Sequence, residues 1–298
     1  MRDKKAAVCY ALCAAVFYAI NVPCSKLLLG NIAPTVMAAQ LYLGAGTGVG
    51  VMYIFHRSKD RCEEKLSRSD LPYVIGMVLL DIIAPILLML GVNMGTASSA
   101  SLLGSFETAA TAVIALALFG EKVSKRLWTA IGLITLSSVI LSLGEGDLTF
   151  SPGSLLILGA TICWGLENNC TRSISGKSTY QIVIIKGVGS GTGSLVTAYI
   201  IGERLPGIKH ILPALALGFV AYGLSIFTYI RAQKTLGAAK TGAYYAAAPF
   251  IGAFLSFALL REPMTASYFA ALIVMISGVT LAAADTIKAE GNYSDTVT

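Results

Sequence analysis

The chain is written as ten apolar blocks separated by short polar connections, and this pattern leaves few folds open. In hydrocarbon no water bonds to backbone amides and carbonyls, so only helices and closed barrels can cross it. A crossing helix needs about 20 residues and a barrel strand about 10, and these blocks have helical length. They fall at 6–29, 33–55, 71–92, 97–119, 124–143, 152–171, 179–201, 211–231, 236–260 and 266–286. The expectation is an all-α integral membrane protein with ten transmembrane helices. Charged residues make up only 13% of the 298, where a soluble domain carries about a quarter. Removing the blocks leaves too little chain for a soluble domain.

The net charge of +6 does not point to nucleic acid, because the basic residues are distributed by side. Arg2, Lys4 and Lys5 precede the first block; Arg57, Lys59, Arg61, Lys65 and Arg68 follow the second. Lys122, Lys125 and Arg126 follow the fourth, Arg172 and Lys177 the sixth, Arg231 and Lys234 the eighth, and Lys288 the tenth. The intervening loops hold Arg204, Lys209 and Arg261. This positive-inside bias predicts that both termini are cytoplasmic. The basic start resembles a signal peptide, but its apolar run continues to Leu29 without a convincing cleavage site and reads as a retained span. Residues 287–298 read as a disordered cytoplasmic tail. The cysteines include no CxxC pair; Cys9, Cys13, Cys24, Cys163 and Cys170 read as small packing residues, and Cys62 lies in a charged loop.

A glycine ladder adds a duplication. Gly44 to Gly50 reads GAGTGVG, and Gly187 to Gly193 reads GVGSGTG, with all four glycines recurring 143 positions later. Fixed-period self-similarity marks internal repeats. The fourth block ends LALFGE (Leu116 to Glu121) and the ninth FALLRE (Phe257 to Glu262). Phe17, Tyr18 and Asn21 are spaced like Trp164, Gly165 and Asn168, which makes Asn21 and Asn168 candidate equivalents. Five spans per copy is an odd number, so 6–143 and 152–286 must be inverted relative to each other. Inverted repeats place a site near the midplane that each face can reach in turn.

These features resemble the EamA-type members of the drug/metabolite transporter superfamily over essentially the whole chain. The resemblance is carried by the two span ends, by the small-residue openings TASSAS (Thr96 to Ser101) and GAAKTG (Gly237 to Gly242), and by Trp164-Gly165 followed by Asn168. It implies two inverted five-helix repeats around a central substrate cavity, with the fifth and tenth helices peripheral. It also implies export of amino acids, amines, carboxylates or other small metabolites. The chain departs from the family in carrying Phe106-Glu107-Thr108 where a proline is common, and Gln40 where an arginine is; Pro249 is kept.

Charges inside spans are costly unless paired or hydrated. Asp81 and Glu107 fall near the middle of the third and fourth spans, at similar depth on neighbouring helices. They are candidates for proton coupling or ammonium binding, or structural acids bonded to neighbouring helices. Glu167 and Lys186 lie at comparable depth and read as an ion pair, structural or gating. Lys26 and Lys240 are near enough to the interfaces to snorkel. Asn21, Asn168 and Asn169 need polar partners, from substrate or from other helices. Tyr18, Trp164, Tyr222, Tyr229, Tyr244 and Tyr245 offer aromatic walls, although Tyr244 and Tyr245 point about 100° apart and only one can face a given cavity. Pro23, Pro85 and Pro249 each free a carbonyl and are candidate hinges. The glycine pairs Gly44/Gly48, Gly46/Gly50, Gly187/Gly191 and Gly189/Gly193 are close-packing surfaces.

Other chemistries find no support. SGKS at Ser175 to Ser178 lacks the first glycine of a phosphate-binding loop and its strand-to-helix setting. With histidine only at 56 and 210, an HExxH zinc site is impossible. The sequence predicts no cofactor, no metal and no enzyme activity. It predicts a secondary transporter of the inner or plasma membrane that exports a small polar metabolite, an amino acid or amine, by alternating access with protons as the candidate coupling ion. The main rival is a multidrug or quaternary-ammonium exporter; an intramembrane enzyme and a membrane scaffold are rivals of another class.

Overall fold

A computed structural model describes residues 2–60, 63–95, 97–104, 106–121, 123–144, 152–261 and 266–294. Arg61, Cys62, Thr96, Lys122, Glu262 and residues 295–298 lie outside them. The described chain is helical apart from its connections. In order it forms α1 (Arg2–Ala19), α2 (Asn21–Leu29), α3 (Pro34–Asp60), α4 (Leu71–Met94), α5 (Ala97–Leu103), α6 (Phe106–Phe119) and α7 (Lys125–Gly144). There follow α8 (Pro152–Ile174), α9 (Thr179–Ile200), α10 (Ile208–Gly218), a π-helical turn (Phe219–Leu224), α11 (Ser225–Leu236), α12 (Ala238–Tyr245), α13 (Ala247–Leu260) and α14 (Ala266–Ser294). Because α14 continues to Ser294, residues 287–294 are helical and not the disordered tail expected from sequence. Ala289 and Glu290 are good helix formers that let a helix already nucleated upstream propagate. Among the described residues, six segments are long and apolar enough to cross a membrane: Lys4–Leu29, Pro34–His56, Arg68–Met94, Thr179–Ile200, Ile208–Leu236 and Ala238–Leu260. Phe106–Phe119 and Ala266–Ala282 are shorter apolar helices.

The helices pack in matched pairs. α3 lies against α9 at the centre, α4 packs on α8 as α1 does on α11, and α7 packs on α14. The glycines explain the central contact. A Cβ on Gly46 would lie 2.6 Å from the Val188 amide nitrogen, and one on Gly191 would lie 2.7 Å from the Leu43 amide nitrogen. Leu43 therefore corresponds to Val188 and Gly46 to Gly191, two residues off the spacing that aligns the ladders in sequence. Gly44 and Gly48 meet Leu215 and Phe219, whereas Gly189 and Gly193 meet Val78 and Ile82. Gly50, expected in a packing surface, has nothing within 4 Å of its Cβ position. Equivalent faces of α3 and α9 thus hold the two flanking helices.

Acidic side chains tie the helix starts. At one end of the bundle Glu63 accepts from the Thr179 amide at 2.9 Å and from the Lys234 ammonium at 3.0 Å. Glu121, the last residue of LALFGE, accepts from the Ala238 and Ala239 amides at 3.1 and 3.3 Å. At the other end Glu203 accepts from the Val36 amide at 2.9 Å. Carboxylates at helix N-termini satisfy orphan amides and complement the helix dipole.

Candidate functional site

Several of the crossing segments are interrupted, and each interruption delivers side chains to one place. Pro23 cannot bond to the Ala19 carbonyl, and the helix breaks at Ile20, with Tyr18 and Asn21 flanking the break. Gly252 packs beside that freed carbonyl, 3.1 Å from its Cβ position. α5 ends at Leu103, before Gly104, and Glu107 lies in the first turn of α6. Glycine, with its low helix propensity, does there what the missing proline would do. Pro249 sits in the first turn of α13 just after the break at Ala246, and Tyr245 closes α12 before it. Tyr222 lies in the π-helical turn between Gly218 and Ser225, a distortion common at functional sites. Pro85 differs, since α4 runs through it unbroken.

The interruptions face a central cavity whose wall includes Tyr42, Glu107, Trp164, Glu167, Lys186 and Tyr222. It lies toward the bundle end that carries Glu63 and Glu121. A second cavity lies toward the other end, where Val22, Leu88 and Ser101 line it. Tyr18, Glu107, Trp164 and Tyr245 belong to both walls and form the partition between the cavities. The rings interlock across it: Tyr18 lies 6.3 Å from Trp164, 5.7 Å from Tyr222 and 5.6 Å from Tyr245, centroid to centroid. Tyr42 meets Tyr222 edge to face at 4.9 Å, as Tyr229 meets Tyr245 at 5.0 Å.

Buried charge defines the chemistry. The Lys186 ammonium lies 2.8 Å from Glu167 Oε1 and 3.2 Å from Asp81 Oδ2, and all three side chains are at most 5% exposed. Tyr42 donates to Asp81 Oδ1 at 2.7 Å, and Thr171 donates to Glu167. Glu107 stands apart from this group. Its Oε1 accepts from Asn168 Nδ2 at 2.8 Å, and among the described residues no Lys or Arg pairs with it. Asn168 also reaches Thr111 Oγ1 at 3.3 Å, and Asn169 bonds the Thr111 carbonyl at 3.0 Å. Ionised Asp81, Glu107 and Glu167 against Lys186 alone leave two negative charges in excess, and burying each costs several kcal/mol unless neutralised.

Asp81 and Glu107, expected at similar depth on neighbouring helices, have different partners. Asp81 is fully buried behind Lys186 and Tyr42 and lines neither cavity. Similar depth on consecutive helices does not fix the direction in which each side chain points. Asn21 donates to the Tyr222 hydroxyl at 3.2 Å and accepts from Ser25 at 3.0 Å, a contact within the wall. Of the two adjacent tyrosines, expected to point apart, Tyr244 packs with Ala7, Ala11 and Leu236, while Tyr245 faces the cavities. Tyr42 and Thr171 were missed, because a tyrosine or threonine inside an apolar helix reads as packing. Lys26 caps α4 by donating to the Val92 and Gly95 carbonyls at 2.7 and 2.6 Å.

Comparison with known proteins gives the family. Residues 5–143 and 151–284 each match the EamA-like transporter family. An uncharacterized transporter of Methanothermobacter thermautotrophicus is 28% identical over 89% of this chain and 82% of its own. The uncharacterized inner membrane transporter YedA of Escherichia coli K12 is 26% identical over 55% of each chain. A solved crystal structure shares the fold with a TM-score of 0.76 at 15% identity, over 93% of this chain and 98% of that one.

Proposed function

The chain belongs to the EamA-like transporter family as a multi-pass membrane transporter, and from that premise we propose a secondary transporter that exports a small polar metabolite, an amino acid or amine, by alternating access. The observation that carries this reading is the partition. One cavity lies toward each end of the bundle, and Tyr18, Glu107, Trp164 and Tyr245 line both. A site on such a partition changes face when the flanking helices rearrange, without a continuous pore. Matched packing of α4 on α8 and of α1 on α11 supports two inverted repeats with ten crossings. The basic residues of the loops support cytoplasmic termini, and the E. coli relative's name supports the inner membrane.

Protons are the proposed coupling ion, with Glu107 as carrier. It is the partition's carboxylate, and its hydrogen-bond donor, Asn168, is neutral. Asp81 has a lesser part, since Lys186 and Tyr42 already hold it. Pro23 and Pro249, beside helix breaks, are the proposed hinges, and the Glu167–Lys186 pair the proposed inner gate. The test is flux of labelled amines, amino acids and carboxylates in proteoliposomes, with and without a pH gradient. Wild type is expected to move one class with a rate set by the gradient, and Glu107→Gln to lose that dependence. Transport by Glu107→Gln with unchanged rate and pH dependence contradicts the assignment.

A further inference from the structure

The partition also bears on which metabolite is carried. A zwitterionic amino acid needs a cation for its carboxylate and an anion for its ammonium. Among the described residues Lys186 is the only Lys or Arg in the wall of the central cavity, and Asp81 and Glu167 already hold it at 3.2 and 2.8 Å. Of the nearby basic residues, Arg231 and Lys234 lie at the bundle end and face Glu63. The wall offers a carboxylate no described cation neutralises, Glu107, beside the rings of Tyr18, Trp164, Tyr229 and Tyr245. A second, independent feature points to a donor. The Tyr229 hydroxyl in that wall has no hydrogen-bond partner among the described residues, although the side chain is only 6% exposed. A buried hydroxyl without a partner is costly unless a ligand supplies one. An ammonium supplies hydrogen-bond donors, and tyrosine and tryptophan faces attract cations.

We propose that the substrate is an organic amine without a carboxylate, its ammonium held between Glu107 and the Tyr229 hydroxyl and its apolar body packed against Tyr18, Trp164 and Tyr245. This rests on the transporter reading and narrows it, since it excludes amino acids as good substrates. Asymmetry between the halves fits a site for one charge type. The Asp81–Lys186 pair joins α4 to α9, and the corresponding contact of the other half sets Gly218 directly on the Leu41 backbone. One of the two equivalent contacts therefore carries buried charge, and the other is closed by backbone packing.

The chain contains two tryptophans, Trp128 and Trp164, so Trp128→Phe leaves the cavity residue as the sole indole reporter. The purified full-length variant is titrated with phenethylamine, phenylalanine and phenylacetate, which share a ring and differ in charge. Phenethylamine is expected to change Trp164 emission saturably, with phenylalanine and phenylacetate weaker by about tenfold or more, roughly 1.4 kcal/mol. Adding Glu107→Gln is expected to abolish the amine's advantage, and Glu107→Asp to retain it. Equal or tighter binding of phenylalanine or phenylacetate overturns the proposal, as does no saturable amine response in protein that keeps its helical circular dichroism. Proteoliposome flux separates the two claims. An amine that binds but is not moved defeats the transporter reading alone; a zwitterion moved in its place defeats the amine assignment alone.

Discussion

Glu107 and Lys186 are both charged residues inside apolar helices, yet their surroundings give them different roles. Lys186 is the hub of a closed group. Removing it leaves Asp81 and Glu167 buried with no counter-ion, and breaking such a pair from one side costs about 3–5 kcal/mol. Lys186→Met is therefore expected to lower the thermal midpoint in detergent sharply. The triple variant Asp81→Asn, Glu167→Gln, Lys186→Met is expected to recover most of the loss; an unchanged midpoint for the single variant contradicts the buried triad. At this scale the sequence was informative wherever chemistry is out of place in lipid, and Glu107, Glu167, Asn168, Lys186 and Trp164 all stood out for that reason. It was uninformative about direction. Tyr244 and Tyr245 are adjacent and chemically identical, yet Tyr244 packs against Ala7 and Ala11 while Tyr245 lines the cavities.

Among the elements, the glycine faces and the acidic caps carry the most specific consequences. Gly187 touches the α3 backbone at Gly46, whereas Gly50 faces open space. Gly187→Ala forces the central helices apart and is expected to destabilise by about 1–3 kcal/mol. Gly50→Ala is expected to be neutral or to stabilise by up to about 1 kcal/mol through helix propensity. Equal effects in thermal unfolding refute the packing assignment. The ladder was legible in sequence as a repeat, but its register was not: the contacts make Gly46 the equivalent of Gly191, and glycine spacing alone cannot reveal a shift of two residues. The breaks at Ile20 and Ala246 were foreshadowed by Pro23 and Pro249. The π-helical turn at Phe219–Leu224 carried no comparable signal.

The Glu63 cap adds a pH dependence at the same scale. Burial works against ionisation of Glu63, but the Thr179 amide and the Lys234 and Arg231 cations hold its carboxyl below the ordinary value of 4.5. A group whose pKa is lower in the folded state adds stability above its unfolded pKa and loses it as pH falls through the folded one. Glu63→Gln is thus expected to lower the thermal midpoint at neutral pH. The difference from wild type should shrink below about pH 4.5, the ordinary glutamate pKa; a difference that grows on acidification contradicts the sign.

For the molecule as a whole, the two cavities and their shared partition are what the account has to explain. Ten apolar blocks and their charge bias made a polytopic helical protein legible from sequence, and the family match places it among transporters. The family resemblance implied a central cavity, but its walls were not legible, because they arise where four interrupted segments converge. The partition at Glu107 predicts obligatory exchange of faces rather than a pore, and counterflow reads this directly. Proteoliposomes preloaded with unlabelled phenethylamine and diluted into tracer are expected to accumulate label transiently above equilibrium, with the overshoot lost in Glu107→Gln. Monotonic equilibration without overshoot, or an overshoot of equal size in Glu107→Gln, would contradict a carrier built around this partition.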